Sequence, residues 1–301
     1  MGTFGPYRPP LPGFLAVTRR DLHARLARRF KAAGVDAPRR SAGWLLEEAL
    51  GLSGTELLTG GGEPVTPEAQ ARAEAMAARR EAGEPLQYVI GHADFFGLRL
   101  DVSPAVLIPR PETEEVAEAA LEALDGTDAP WVLDVGTGSG ALALALAHAR
   151  PDAHVVAADV SEEALAVAAS NAQRLGLAVT FVCADALRPQ FADAVPPLFD
   201  LIVSNPPYVP ERERPGMQRE VRDHEPGTAL FVPDADPLVF YRALAGHALR
   251  LLAPGGALVV ETHTDHGRAV RDLFESAGLA HADLLQDLSA RDRIVRARQP
   301  A

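Results

Sequence analysis

Two short segments carry residue types suited to group-transfer chemistry. The first is Asp134-Val-Gly136-Thr137-Gly138-Ser139-Gly140, which follows one apolar run and opens another. Glycines at this spacing let the backbone turn sharply and bring a ligand against the free amides and positive dipole end of a helix N-terminus. The second is Ser204-Asn205-Pro206-Pro207-Tyr208, again at the end of an apolar run. Two prolines stiffen it, and the Asn205 side-chain oxygen and the Pro206 carbonyl can accept both N–H bonds of a planar –NH₂ group. The nitrogen of an amide or aromatic amine is a poor nucleophile because its lone pair is delocalised. Fixing it in line with a methyl–sulfur bond, with acceptors on both hydrogens, favours the positive charge that develops during alkylation. Tyr208 is placed to stack on the planar face. No general base is required, since the nitrogen becomes acidic as it is alkylated. The pattern points to amino-group methylation and does not separate a glutamine amide from an adenine or guanine amine.

The glycine segment alone is ambiguous, because Gly136-x-Gly138-x-x-Ala141 also fits a dinucleotide fingerprint. Asp134 tilts the reading. A carboxylate there opposes a diphosphate but suits the cationic methionyl end of S-adenosylmethionine. The next apolar run ends in Asp159, placed to accept from ribose hydroxyls, and a third ends in Asp185, at the crevice edge where it can meet the adenine amino group. One strand-end aspartate is commonly a helix cap; three at successive strand ends around a glycine loop are better explained by a ligand.

These segments need a frame that puts strand ends together. From residue 130 short apolar runs alternate with helical patterns: 131–135, helix 140–149, 154–159, helix 161–175, 179–185, 199–205, helix 236–252, 257–262, helix 266–277, then closing strands near 281–286 and 293–297. Such alternation means a parallel sheet covered on both faces, whose strand ends form the ligand crevice. The fold class expected is α/β, a seven-stranded Rossmann-like methyltransferase domain over 111–301. It is preceded by a flexible arm at 1–17, a small helical bundle at 18–83 and a β-hairpin linker at 84–110. In the bundle, Leu22, Leu26 and Phe30 recur at helical spacing after a Thr18 cap; a second helix from Pro38 to Leu50 is expected to bury Trp44, Leu45 and Ala49; Thr66-Pro67 opens a third.

The chain has 301 residues and a formal charge of −12, from 29 basic and 41 acidic side chains. The acidic total argues against a nucleic-acid substrate held by phosphate neutralisation. No run of about 18 apolar residues suggests a membrane span. The N-terminus lacks a secretory pattern, and the single cysteine, Cys183, excludes an internal disulfide and a Cys-based zinc site. A cytoplasmic, monomeric protein is expected. A basic stretch from Arg19 to Arg40 reads as a solvated helix face or as a docking surface for an acidic partner.

Together with the glycine loop and Asn205–Tyr208, the segments Gly83-Glu-Pro-Leu-Gln87, Phe95-Phe-Gly97, Leu107-Ile-Pro-Arg-Pro-Glu-Thr-Glu114, Val221-Arg-Asp-His-Glu-Pro226 and Leu252-Ala-Pro-Gly-Gly256 give a chain that resembles the release factor glutamine methyltransferases over about residues 18–298. The resemblance implies donor contacts at Gly136–Gly140, Asp159, Asp185, Ala186 and Asn205, and substrate contacts across Asn205, Pro206, Pro207 and Tyr208. The donor is S-adenosylmethionine, leaving as S-adenosylhomocysteine, and the acceptor is the glutamine of the Gly-Gly-Gln loop in class 1 peptide-chain release factors, methylated on its side-chain nitrogen. The helical bundle is then expected to recognise the release factor. The chain departs from the family at Glu261-Thr-His263-Thr-Asp-His266, where members often have Glu-x-Gly with a nearby Gln, and at Asp287–Arg293. Both departures are expected to lie away from the crevice. His224-Glu225 is read as ordering a loop, and His263 and His266 are not assigned as metal ligands. The alternatives are a DNA or RNA amino methyltransferase, a non-catalytic binder built on the helical domain, and, last, a dinucleotide oxidoreductase, in which Asn205–Tyr208 has no purpose.

Overall fold

The protein, described from a computed structural model over residues 17–301, divides into two compact units that meet in sequence between Ile90 and Gly91. The arm expected over 1–17 lies, apart from Val17, outside the described residues.

The first unit is helical: α1 Arg19–Ala32, α2 Pro38–Leu50, α3 Gly54–Thr59, α4 Pro67–Glu81 and α5 Leu86–Ile90. Thr18 caps α1 through its side-chain oxygen, and Thr66 caps α4 ahead of Pro67. Leu22, Leu26 and Phe30 are fully buried against Leu45, Leu46 and Ala49 of α2 and Ala73 and Ala77 of α4. Trp44 is not part of this core. It is 45% exposed, because the buried stripe of α2 runs through Ser41, Ala42, Leu45, Leu46 and Ala49 and leaves residue 44 on its flank, with the Arg40 guanidinium 5.5 Å from the ring centre.

The second unit opens with the hairpin β1 His92–Phe95 and β2 Leu98–Asp101. Phe95, Leu98 and Leu100 are buried in the same cluster as α6 (Pro111–Ala123) and α7 (Ala141–Ala149). The hairpin is therefore part of this unit's core, and residues 84–110 divide between the two units, α5 going with the helices. Asn171 of α8 (Glu162–Leu175) fastens the hairpin to the glycine segment. It accepts from Asp101 N–H at 2.7 Å and donates to the carbonyls of Asp101 at 3.0 Å and Ser139 at 3.1 Å.

The central sheet has β3 Trp131–Val135, β4 His154–Asp159, β5 Val179–Cys183, β6 Phe199–Ser204, β9 Leu252–Glu261, β10 Ala280–Gln286 and β11 Asp292–Arg298, in the order β10-β11-β9-β6-β3-β4-β5. Five strands are parallel, and β11 runs antiparallel to both β9 and β10. The α/β class expected from the strand–helix alternation is what the chain forms. Helix α7, ALALALAHA, is buried from Ala141 through Ala147, which explains why it is apolar all round. On the other face, α12 Val239–Leu251 and α13 Gly267–Ala277 cover Leu133, Ile202, Leu258 and Val260, joined at the edge by the short α9 Phe191–Ala194.

The chain progresses from β3 outward to β4 and β5, then returns to place β6 on the other side of β3. The sheet therefore has its switch point between the C-terminal ends of β3 and β6, the position where open α/β sheets hold ligands. The Ser204 hydroxyl donates to the Val135 carbonyl at 2.6 Å and closes this junction. Beyond β6 the chain forms two-residue strands β7 Val209–Pro210 and β8 Phe231–Val232, with α10 Arg219–His224 and α11 Gly227–Leu230 between them. No helix among the described residues is long and apolar enough to cross a membrane.

Candidate active site

The glycine segment bends over the end of β3. Gly136, Gly138 and Gly140 all have left-handed backbone conformations, at φ +76°, +55° and +86°. At Gly140 space is also limiting: a β-carbon would lie 2.9 Å from Leu144 Cδ1 and 3.2 Å from Ala168 Cβ. The turn leads directly into α7, and its amides are engaged within the protein: Gly136 and Thr137 N–H donate to the Ala158 carbonyl at 2.8 and 3.0 Å, and Gly140 N–H donates to the Thr137 carbonyl at 2.8 Å.

A cavity of about 480 Å³ lies there, lined by Asp134, Gly136, Thr137, Gly138, Ser139, Asp159, Asp185, Ala186, Asn205, Pro206 and Pro207, among others. Gly140 shapes the loop from behind. Like Gly140, Tyr208 does not line the cavity. Its ring packs against the core beneath α12 and α13, and its hydroxyl donates to Glu261 Oε1 at 2.9 Å, so the expected stacking face is held elsewhere.

The three strand-end aspartates differ. Asp134 is 1% exposed; its Oδ2 accepts from the Thr137 hydroxyl at 2.7 Å and from Ala143 N–H at 3.1 Å, while its Oδ1 is buried and accepts no hydrogen bond among the described residues. Burial pushes its carboxyl up to about 7, against the two hydrogen bonds and aided by the nearby Asp159 charge. An orphaned carboxylate oxygen beside a glycine turn is the acceptor that a cationic ligand group would satisfy. Asp159 accepts from Gly138 N–H and Ser161 N–H, both at 2.9 Å, and so orders the glycine loop. Asp185 accepts from Leu187 N–H at 2.8 Å and pairs with Arg188 at 3.2 Å. The carbonyl of neighbouring Ala186 accepts from His247 Nε2 at 2.8 Å.

Asn205 sits opposite. Its Nδ2 donates to the Thr113 hydroxyl at 3.1 Å, and that hydroxyl donates to Glu261 Oε2 at 2.6 Å. Glu261 is 1% exposed, and burial raises its carboxyl above the ordinary range, opposed by the hydrogen bonds from Thr113 and Tyr208 and by the Arg293 charge. No residue of the 261–266 or 287–293 segments lines the cavity, in keeping with the expectation that they lie away from the crevice, but Glu261 reaches the acceptor turn from behind. Glu261 ends β9 two hydrogen bonds from Asn205, and the His263 ring packs edge-on to Tyr208 at 6.1 Å. Arg293, paired with Asp287 at 3.2 Å, contacts the Thr262 carbonyl at 3.5 Å.

Glu225 binds the Ile108 N–H at 3.2 Å and the Arg110 guanidinium at 2.6 Å. It joins Leu107–Arg110 to the loop after α10, as expected for a loop-ordering residue, and both segments contribute to the cavity wall. The sequence reading gave no site role to Thr113, Glu261 or Asn171, although Thr113 lies in one of its motifs and Glu261 opens one of its departures. Each lies on a separate element from its partner, and no local spacing links them.

The PrmC N-terminal domain family matches residues 21–91, and a methyltransferase domain family matches residues 132–224. The chain is 44% identical over 271 residues to the release factor glutamine methyltransferase of Chlorobaculum tepidum, covering 88% of this chain and 91% of that one. It is 45% identical over 273 residues to that of Cereibacter sphaeroides, covering 91% and 95%. Among solved structures, the T. thermophilus 16S rRNA N2 G1207 methyltransferase in complex with AdoMet and guanosine shares the fold, with a TM-score of 0.50 and 20% identity over 69% of this chain and 49% of that one. The chain therefore belongs to the release factor glutamine methyltransferases.

Proposed function

We propose that the chain methylates the side-chain amide nitrogen of the glutamine in the Gly-Gly-Gln segment of class 1 peptide-chain release factors, with S-adenosylmethionine as donor. The observation that carries this reading is the orientation of Asn205 at the sheet's switch point. The Thr113 hydroxyl has one hydrogen and gives it to Glu261, so its oxygen must accept from Asn205. That fixes the Asn205 amide with Nδ2 on Thr113 and leaves Oδ1 as an acceptor for an incoming –NH₂.

The residues present fit the donor: the glycine turn gives close approach, Asp134 Oδ1 is free for an ammonium, and Asp159 and Asp185 retain lone pairs at the cavity wall. S-adenosylmethionine, when bound, supplies a methyl group on a positively charged sulfur. Asp134 holds the cationic end, and Asp159 and Asp185 accept from hydroxyl and amino hydrogens. Asn205 Oδ1 and the Pro206 carbonyl accept the two N–H bonds of the glutamine amide, keep its nitrogen in line and stabilise the charge it acquires. The acidified N–H then loses its proton to solvent.

The helical unit is the recognition module for the release factor, holding it away from the reacting glutamine so that remote contacts align the loop. In that unit Arg20, Arg39, Arg40 and the exposed Trp44 line a cleft of about 350 Å³. The acidic total of the chain supports a protein rather than a nucleic-acid substrate, and we read the enzyme as cytoplasmic and monomeric. The test is transfer of label from donor to purified release factor and, in parallel, to ribosomal RNA. Label in the protein alone is expected; label in RNA alone would overturn the reading.

A further inference from the structure

A buried polar cluster of the second unit lies behind the acceptor side of the crevice and has a direction built into it. Glu261 is 1% exposed and Thr113 4% exposed. Glu261 Oε2 accepts from Thr113 at 2.6 Å, Oε1 accepts from the Tyr208 hydroxyl at 2.9 Å, and the Glu261 carbonyl accepts from the Tyr241 hydroxyl at 3.1 Å. Taking a carboxylate out of water is costly, and an apolar residue at the end of β9 would remove that cost. The cluster spends stability to obtain polarity. An ionised carboxylate only accepts, so Thr113 can only donate to it, and the Thr113 oxygen can only accept from Asn205.

We propose that Glu261 is a positioning residue for methyl transfer: through Thr113 it fixes which end of the Asn205 amide faces the acceptor, and through the Tyr208 hydroxyl it anchors the far end of the Asn-Pro-Pro-Tyr turn. This rests on the reading of Asn205 as the acceptor of the glutamine N–H. Glu261 touches neither substrate; it acts through Thr113 and Tyr208.

The discriminating substitution is Glu261→Gln, which keeps shape and volume. The Tyr208 hydroxyl needs an acceptor and takes the new side chain's oxygen, so the –NH₂ faces Thr113. The Thr113 hydroxyl then accepts from it and is free to donate to Asn205 Oδ1. The Asn205 amide turns over and presents N–H groups to a substrate that also presents N–H groups. Thr113→Val removes the same relay from its middle, and Thr113→Ser preserves it.

The experiment measures kcat and the KM of both substrates for the parent, Glu261→Gln, Thr113→Val, Thr113→Ser and the Glu261→Gln/Thr113→Val double variant, using intact release factor and a methyl-labelled donor. Thermal denaturation of each variant confirms folding. The expected result is a kcat loss of roughly tenfold or more for Glu261→Gln and for Thr113→Val, with donor KM within about threefold of the parent. Thr113→Ser retains most of the parental kcat. The double variant is no slower than the worse single one, because both break one relay. A parental kcat in folded Glu261→Gln, or losses that multiply in the double variant, would overturn the proposal. If Glu261→Gln does not fold, the contrast between Thr113→Val and Thr113→Ser decides: equal kcat in those two overturns it. Failure of the underlying reading looks different, since the parent itself would then leave the glutamine unmethylated.

Discussion

The Thr113 hydroxyl donates to Glu261 at 2.6 Å across 148 residues of sequence, joining the first turn of α6 to the end of β9 behind the acceptor turn. On the proposed reading, this bond turns a buried negative charge into a fixed orientation of Asn205 and keeps an acceptor aimed at a weak nucleophile.

Removing that acceptor should cost rate and spare donor binding. Asn205→Ala is expected to lower kcat by about 10²–10³, the loss typical of one preorganised contact to developing charge. Donor affinity measured by calorimetry should change by roughly threefold or less. A variant with parental kcat contradicts the assigned role.

Donor binding should depend on pH through Asp134. Its carboxyl is pushed up to about 7 by burial, so in the free protein the neutral form dominates below that value. A cationic ligand favours the ionised form, and binding below pH 7 must release a proton. Affinity is therefore expected to tighten by about eightfold from pH 6 to pH 7.5. In Asp134→Asn the donor should bind more weakly and with little pH dependence. Titration calorimetry in two buffers of different ionisation enthalpy reads both the affinity and the proton release; a pH-independent parent refutes the assignment.

Glu261 should give the catalytic step an acid limb. Burial raises its carboxyl, with the Glu112 charge adding to the rise and Arg293, Thr113 and Tyr208 opposing it. As pH falls through that raised value the carboxyl takes up a proton and can donate to Thr113, as a glutamine would. At saturating donor, kcat should therefore decline as pH falls through that raised value, above the ordinary carboxylate range, and Glu261→Gln should flatten that limb. The sign for stability is opposite. A raised carboxyl favours the protonated folded form, so its contribution to stability is greatest at low pH and is lost as pH rises. Parallel limbs in parent and variant assign the titration to another group.

Gly140→Ala should destabilise the glycine turn. The substitution forces a side chain into φ +86° and places its β-carbon 2.9 Å from Leu144 Cδ1. A cost of about 2–4 kcal/mol follows from the strained backbone and overpacking together. Chemical denaturation reads the stability, and donor affinity should fall with it; an unchanged midpoint would contradict the description of the turn.

The parts legible in the sequence are those with local signals. Period-3.6 and continuous apolar patterns placed the sheet strands and their long helices, and the glycine spacing marked the turn that lines the cavity. The α10, α11, β7 and β8 elements were not read, because each spans six residues or fewer in a stretch interrupted by Pro206, Pro207, Pro210, Pro215, Pro226 and Pro233. Trp44 was misplaced because helix membership alone does not say which flank a large residue occupies. The Glu261 cluster was missed for a different reason. Thr113, Asn205 and Glu261 come together only when β9 and β6 lie side by side over α6, and sequence spacing carries no trace of that.

The central claim is that the crevice transfers a methyl group to a side-chain amide nitrogen. Tandem mass spectrometry of release factor, after incubation with enzyme and isotopically labelled S-adenosylmethionine, tests it most directly. The account predicts one labelled methyl on the glutamine of the Gly-Gly-Gln segment, borne by the side-chain nitrogen, with the parent enzyme and almost none with Asn205→Ala. Label on any other residue, or equal labelling by Asn205→Ala, would contradict it.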